Sequence, residues 1–301
     1  MTINDAHCHF FSSHFFNTLA RQRAASQEPD APDIWRELTW DDPKTADLLA
    51  DRWVSELDAH GVSRAALIAS VPADEASVAE AVAHHPTRLV GFFMVDPSAA
   101  DAADRVRHAI DELRLRCVCI FPAMHHVPVT DDRVTRIVEI AASRPGVAVF
   151  VHCGVLSVGV RAKLGLPSRF DMRLGHPLDV LKQALAFPAV PFIIPHFGAG
   201  FLRETLMAAD TARNIHLDTS SSNGWIRYIP GLTLDAVFRA TLAVTGPSRL
   251  LFGTDSSFFP RGWLKTVYDA QRRIVDGAGV SAADAALIFG GNFDRLFPAA
   301  G

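Results

Sequence analysis

The sequence predicts a (β/α)8 TIM barrel in a single domain, and three observations carry that reading. Short β-branched or aromatic runs alternate with longer, alanine-rich stretches of helical period, and each such pair is one βα unit. Eight units can be counted, and strands apolar along their whole length suit a parallel sheet covered on both faces. A chain of 301 residues is the length that eight units with a few long loops need. An open doubly wound sheet would call for a GxGxxG loop after the first strand, and the sequence has none there.

In chain order the strands are expected at 2–7 (TINDAH), 64–70, 88–95, 117–121, 147–153, 191–196, 214–220 and 249–255. Helices are expected near 45–60, 73–85, 99–114, 131–143, 177–187, 199–212, 233–245 and 262–277. The tail SAADAALIFGGNFDRLF reads as an extra helix closed by Gly290–Gly291, then a second short helical turn. Two connections exceed the usual two to six residues of a βα loop. Residues 10–44 are polar and hold Arg21, Arg23, Trp35, Arg36 and Trp40; residues 154–176 hold RAKLGLPSRFDMRLGHP. Both follow strand C-termini, where barrel enzymes build substrate walls and lids. No internal repeat or linker breaks the chain, so residues 1–301 are read as one domain.

Composition excludes several classes of function. Counting 29 Lys+Arg against 33 Asp+Glu gives a net charge of −4, no basis for binding nucleic acid or an acidic membrane surface. No run approaches the roughly 18 apolar residues of a transmembrane helix, and the first residues lack the pattern of a secretory signal. Four cysteines without a CxxC pair make neither a disulfide framework nor a zinc ribbon. A reducing, cytoplasmic setting is expected.

The chemistry gathers at the strand ends. Strand one ends in His7 and His9, strand five in His152, strand six in His196 and strand eight in Asp255. Residues i and i+2 of a strand share a face, so both His7 and His9 can point into the barrel mouth. Cys8 and Cys153 alternate away. One strand-end histidine is usually a structural residue, but four with an aspartate on one rim point to a metal. Imidazole is the commonest zinc ligand, and a metal-bound water is acidified enough to supply hydroxide near neutral pH.

The segments DAHCHF, VHCG, PHFGAG and FGTDSSF resemble the metal-dependent amidohydrolase superfamily. More narrowly, they are similar to its amidohydrolase-related branch, which includes aminocarboxymuconate-semialdehyde decarboxylase. The resemblance implies that His7, His9, His152 and Asp255 ligate one divalent ion. It also implies catalytic roles for Asp255, moving a proton, and His196, orienting water or polarising substrate. Two-metal members often carry a carbamylated lysine ending strand four, where Phe121 stands here. TatD-type nucleases use a further glutamate, which strands three and four do not supply, and Asp96 in VDPS reads as a helix cap. One metal is therefore expected. Zinc is the first choice, and manganese, iron(II) or cobalt(II) can occupy such a site.

Around the rim, Arg161, Lys163, Arg169 and Arg173 crowd the loop after His152. Arg161 is chosen as the fork for a substrate carboxylate. His125, beside His126, and Trp225 are further candidates for the pocket wall, as is Phe121. Gly198 and Gly200 would let the next helix start close to the site.

Two reactions share these residues. The first is hydrolysis, in which metal-activated water attacks an amide, ester or lactone carbonyl of a small, carboxylated substrate. The second is non-oxidative decarboxylation of an unsaturated or aromatic acid. The missing second metal favours the decarboxylase; the breadth of hydrolysis in the superfamily favours the hydrolase, which is taken first. Other lyase chemistry and a non-catalytic binding protein rank lower, the latter because no ligand is broken. A homodimer is also expected from the resemblance.

Overall fold

The computed structural model describes residues 1–24 and 34–299. Eight parallel strands follow one another around a barrel in sequence order: β1 Asn4–Phe10, β2 Arg64–Ala69, β3 Leu89–Val95, β4 Cys117–Ile120, β5 Ala148–Val151, β6 Phe192–Ile194, β7 Ile215–Asp218 and β8 Leu250–Leu251. The stretch after β8 closes the ring on β1. Ala6 N donates to Phe252 O at 2.8 Å, Asp255 N to His7 O at 2.8 Å and His9 N to Ser256 O at 2.7 Å. The barrel helices, from Ala46–Ala59 to Lys265–Gly277, lie where the helical periodicity places them.

Period-two alternation divides the apolar side chains between two cores. Ala66, Ile68, Phe92, Cys117, Cys119, Phe150 and Ile193 fill the barrel interior. Ala65, Leu67, Phe93, Val118, Val149 and Leu217 pack outward beneath the helices. The C-terminal helical segment plugs the bottom, with the Phe297 ring 5.0 Å from Phe92 and 5.4 Å from Phe293.

Three local expectations are corrected. Residues 10–44 are not simply a polar loop: a helix spans Ser13–Ala24 and buries Phe15, Phe16, Leu19 and Ala20. The middle of that connection, 25–33, lies outside the described residues. Gly290–Gly291 does not end a helix but sits in a π-helical turn between Ala282–Ala286 and Asn292–Leu296. A Cβ on Gly290 would lie 2.6 Å from Thr2 O, so glycine lets the tail approach strand one. Asp96 caps no helix; its carboxylate closes a turn on Ser98 N and Oγ at 2.8 and 2.7 Å, and the next helix begins at Ala102.

His216, in the middle of β7, is buried, and its Nδ1 has no hydrogen-bond partner among the described residues. Burial, helped by Arg295 and Arg249, pushes its pKa down to about 3. The unfolded chain takes up this proton near the ordinary value of about 6.5, the folded chain only near 3. Stability should therefore fall as pH drops through that window, by up to about 1.4 kcal/mol per unit. His216→Leu should flatten that slope in urea titrations run at pH 7, 6 and 5. An unchanged slope would show that other groups set the acid sensitivity.

Candidate metal centre

Strict alternation would turn His7 outward, because Ala6 faces the barrel interior. A β-bulge corrects this: Asp5 pairs with Ala65 but Cys8 with Leu67, so β1 spends one extra residue. His7 and His9 then both face the mouth, while Cys8 packs in the outer core. Asp5 anchors the bulge from outside, buried, accepting from His7 N (2.9 Å), Thr254 N (3.1 Å), Thr254 Oγ1 (2.5 Å) and Trp263 Nε1 (2.7 Å).

Across the ring, Asp255 adopts φ +65° and His196 φ +55°. Non-glycine residues reach this left-handed region only at a cost of about 1–3 kcal/mol, which concentrates at functional sites. Gly253 permits the close fit beneath them, since a Cβ there would lie 2.9 Å from both Asp218 Oδ1 and His7 Cβ.

The structure brings His7, His9 and Asp255 together. His7 Nε2 lies 3.4 Å from His9 Nε2, and Asp255 Oδ1 lies 3.1 Å from His9 Nε2 and 3.6 Å from His7 Nε2. A tetrahedral ion with bonds of 2.0–2.1 Å sets its ligand atoms about 3.3–3.4 Å apart. The triangle fits a metal.

Hydrogen bonds on the far side of each ring fix the tautomers. Ser70 Oγ donates to Ile68 O at 2.9 Å, so at 2.7 Å it accepts from His9 Nδ1–H. His196 Nδ1 faces the carbonyl of Ser220 at 3.1 Å and must donate to it. His7 Nδ1 sits 2.6 Å from the buried carboxylate of Asp218. In its neutral form each of these imidazoles carries a bare lone pair on Nε2, and those of His7 and His9 face each other. A cation between them relieves that repulsion, and carboxylate–histidine pairs of this kind commonly orient metal ligands.

Burial alone would raise the Asp255 pKa. The close imidazoles of His9, His7 and His196 overcome it and hold the carboxyl well below its usual range. Burial also drives His152 well below the ordinary histidine value, with His196 adding to the effect. Burial opposes charge on His7, yet Asp218, together with Asp255 and Asp5, outweighs it and raises the pKa.

His152 lines the same pocket, edge-on to His196 at 5.3 Å and stacked on Phe121 at 5.4 Å. It lies outside the close triangle, and its buried Nδ1 has no partner among the described residues. Such an orphaned nitrogen fits a fourth ligand position. Gly154, at φ +76°, lets this strand end approach β6: a Cβ there would meet Gly198 O at 2.3 Å.

The pocket above the triangle measures about 620 Å³. Phe11, Phe15, Trp40, Phe121 and Phe258 form aromatic walls, and Lys163 and Arg261 supply positive charge. Phe121 is therefore a wall residue. Arg161 is not: its guanidinium is held by Gln22 and by Pro167 O at 2.8 Å, while Lys163, two residues on, reaches the pocket over Trp40. His125 and Trp225 also lie outside the lining, the Trp225 Nε1–H being donated to Asn223 Oδ1 at 3.0 Å. Sequence reasoning missed Asp5, Ser70, Asp218, Ser220 and Arg261. Asp218 ends β7, so the rule that found the other strand-end residues could have found it too.

The amidohydrolase family (Amidohydro_2) matches residues 4–299. No curated protein sequence matches the chain. Among solved structures, 5-carboxyvanillate decarboxylase LigW from Sphingomonas paucimobilis shares the fold with a TM-score of 0.65, 17% identity and 99% of each chain covered. An amidohydrolase from Burkholderia multivorans with bound zinc gives 0.66 at 16% identity over 100% of each chain. A probable 2-pyrone-4,6-dicarboxylic acid hydrolase from Acinetobacter baumannii, with citric acid bound, gives 0.63 at 14% over 99% of each. Those likenesses establish the barrel, and the family match runs nearly from end to end: the chain belongs to the amidohydrolase family.

Proposed function

We propose that the protein is a metal-dependent hydrolase of a small carboxylated substrate with an amide, ester or lactone carbonyl. It would use one divalent ion held by His7, His9, Asp255 and His152. The observation that carries this reading is the set of bare imidazole lone pairs converging with Asp255 beneath a pocket that holds two cations. The ion, when bound, supplies Lewis acidity that polarises a carbonyl and acidifies water. Zinc suits three imidazoles and a carboxylate, and the zinc-bound Burkholderia structure supports that choice.

The chain's own residues do the rest. Asp255 is 32% exposed at its side chain, so water reaches it, and it takes a proton from the attacking water and returns it to the leaving group. His196, with Nδ1–H committed to Ser220, accepts a hydrogen bond at Nε2 and so orients water rather than stabilising an oxyanion. Lys163 and Arg261 bind the substrate carboxylate; Arg261 is steadied by Ser257 Oγ at 2.6 Å and by the Phe258 ring at 4.5 Å. Lys163→Ala and Arg261→Ala should each raise KM about tenfold, the worth of one charge-assisted hydrogen bond, and change kcat far less. Equal KM values would remove these two from substrate binding.

Decarboxylation is the second reading, favoured by the five aromatic walls. An apolar surround destabilises a bound carboxylate relative to neutral carbon dioxide. It is supported also by the likeness to the carboxyvanillate decarboxylase. Metal-loaded enzyme assayed on lactones, amides and aromatic acids separates the two. Acid release without carbon dioxide is the expected result; carbon dioxide release, followed by carbon-13 NMR, would replace it with the second reading.

A further inference from the structure

We propose that Asp51, His84 and His85 form a second metal site, on the outer ring of helices, for a borderline divalent cation such as zinc, nickel(II) or copper(II). Asp51 lies on helix Ala46–Ala59, and His84 is the last residue of helix Glu75–His84. His85 leaves the helical conformation at φ −130°, ψ 63°, which brings its ring back beside that of His84, 4.7 Å away and at 80°. Both Nε2 atoms meet one carboxylate oxygen: His84 lies 3.0 Å and His85 2.7 Å from Asp51 Oδ1. All three donor atoms fall within 4.8 Å of one another.

A tetrahedral ion needs edges of about 3.3 Å, slightly longer than these, and the three side chains are exposed enough to open by that amount. Each imidazole would keep its proton on Nδ1 and bind neutral through Nε2. The surroundings favour a cation. The free carbonyls at the end of helix Glu75–His84 add negative potential, and Asp47, one turn before Asp51, interacts electrostatically with His84. The neighbouring arginines are engaged elsewhere: Arg52 pairs with Asp41 over the Phe259 ring, and Arg88 binds Asp58. Two nitrogen ligands select against magnesium and calcium, which prefer oxygen. The ion would staple two neighbouring helices together, with its remaining positions open to water.

Zinc chloride titrated calorimetrically into enzyme already carrying its catalytic ion tests the proposal. Wild type should bind one further ion per chain and show no heat with magnesium. D51N keeps both imidazoles and should bind that ion at least about tenfold more weakly; H84Q/H85Q should lose it, and both should keep wild-type activity. No further ion in wild type, or an isotherm that D51N and H84Q/H85Q leave unchanged, would overturn it. D51N decides the matter alone where the double variant does not fold.

Discussion

Asp255→Ala should abolish turnover, by about a thousandfold or more, while leaving the barrel folded. The variant removes both a ligand and the group that moves the proton, and either loss alone costs about 10²–10⁴ in rate. Its side chain touches the pocket rather than the core, so circular dichroism and thermal midpoint should stay near wild type. The variant also removes a negative charge beside His7 and His9, which lessens the cation demand of the site. Retained activity above a hundredth of wild type would remove Asp255 from the proton path.

Asp218→Asn should weaken metal binding about 10–100-fold without touching the ion. The buried carboxylate accepts the Nδ1–H of His7 at 2.6 Å and thereby presents Nε2 to the triangle. An amide holds the ring less firmly and does not reinforce its basicity. Competition with a chromogenic chelator measures the loss directly. Activity should return at higher metal concentration, which separates Asp218 from Asp255: turnover of the Asp255→Ala variant should not. Unchanged affinity in Asp218→Asn would mean that Ser220 Oγ, 3.0 Å from the same nitrogen, orients His7 on its own.

Much of this architecture was legible in the sequence, because strand and helix periodicities differ and the barrel repeats both eight times. The interior and outer cores follow from alternation along β2 to β7. Alternation puts the two histidines of β1 on a shared face, as the structure has them, but it is only half the reason. Alternation relates His7 to His9; it does not say which face they take, and the bulge between Asp5 and Cys8 decides that. A bulge depends on the partner strand's register, which no local pattern encodes.

The rim was harder to read. Arg161 and Lys163 are two apart in a short helix, Gly159–Lys163, so their side chains point about 200° apart around its axis; no local pattern sets the register that chooses between them. Arg261 lies beyond the end of β8, in a stretch without period. The helix Ser13–Ala24 was hidden because its apolar residues, Phe15, Phe16, Leu19 and Ala20, are outnumbered by polar ones and suggested a polar loop. The supporting residues Ser70 and Ser220 act through single hydroxyl groups whose partners lie on other strands.

The central claim is that one catalytic ion sits on His7, His9 and Asp255. Elemental analysis of enzyme purified without chelator or nickel affinity tests it most directly, carried out in the H84Q/H85Q background so that the surface trio does not contribute. The account predicts one zinc, manganese, iron or cobalt ion per chain, falling well below one when Asp255→Ala is added. Two ions per chain, or a single ion unaffected by Asp255→Ala, would contradict it.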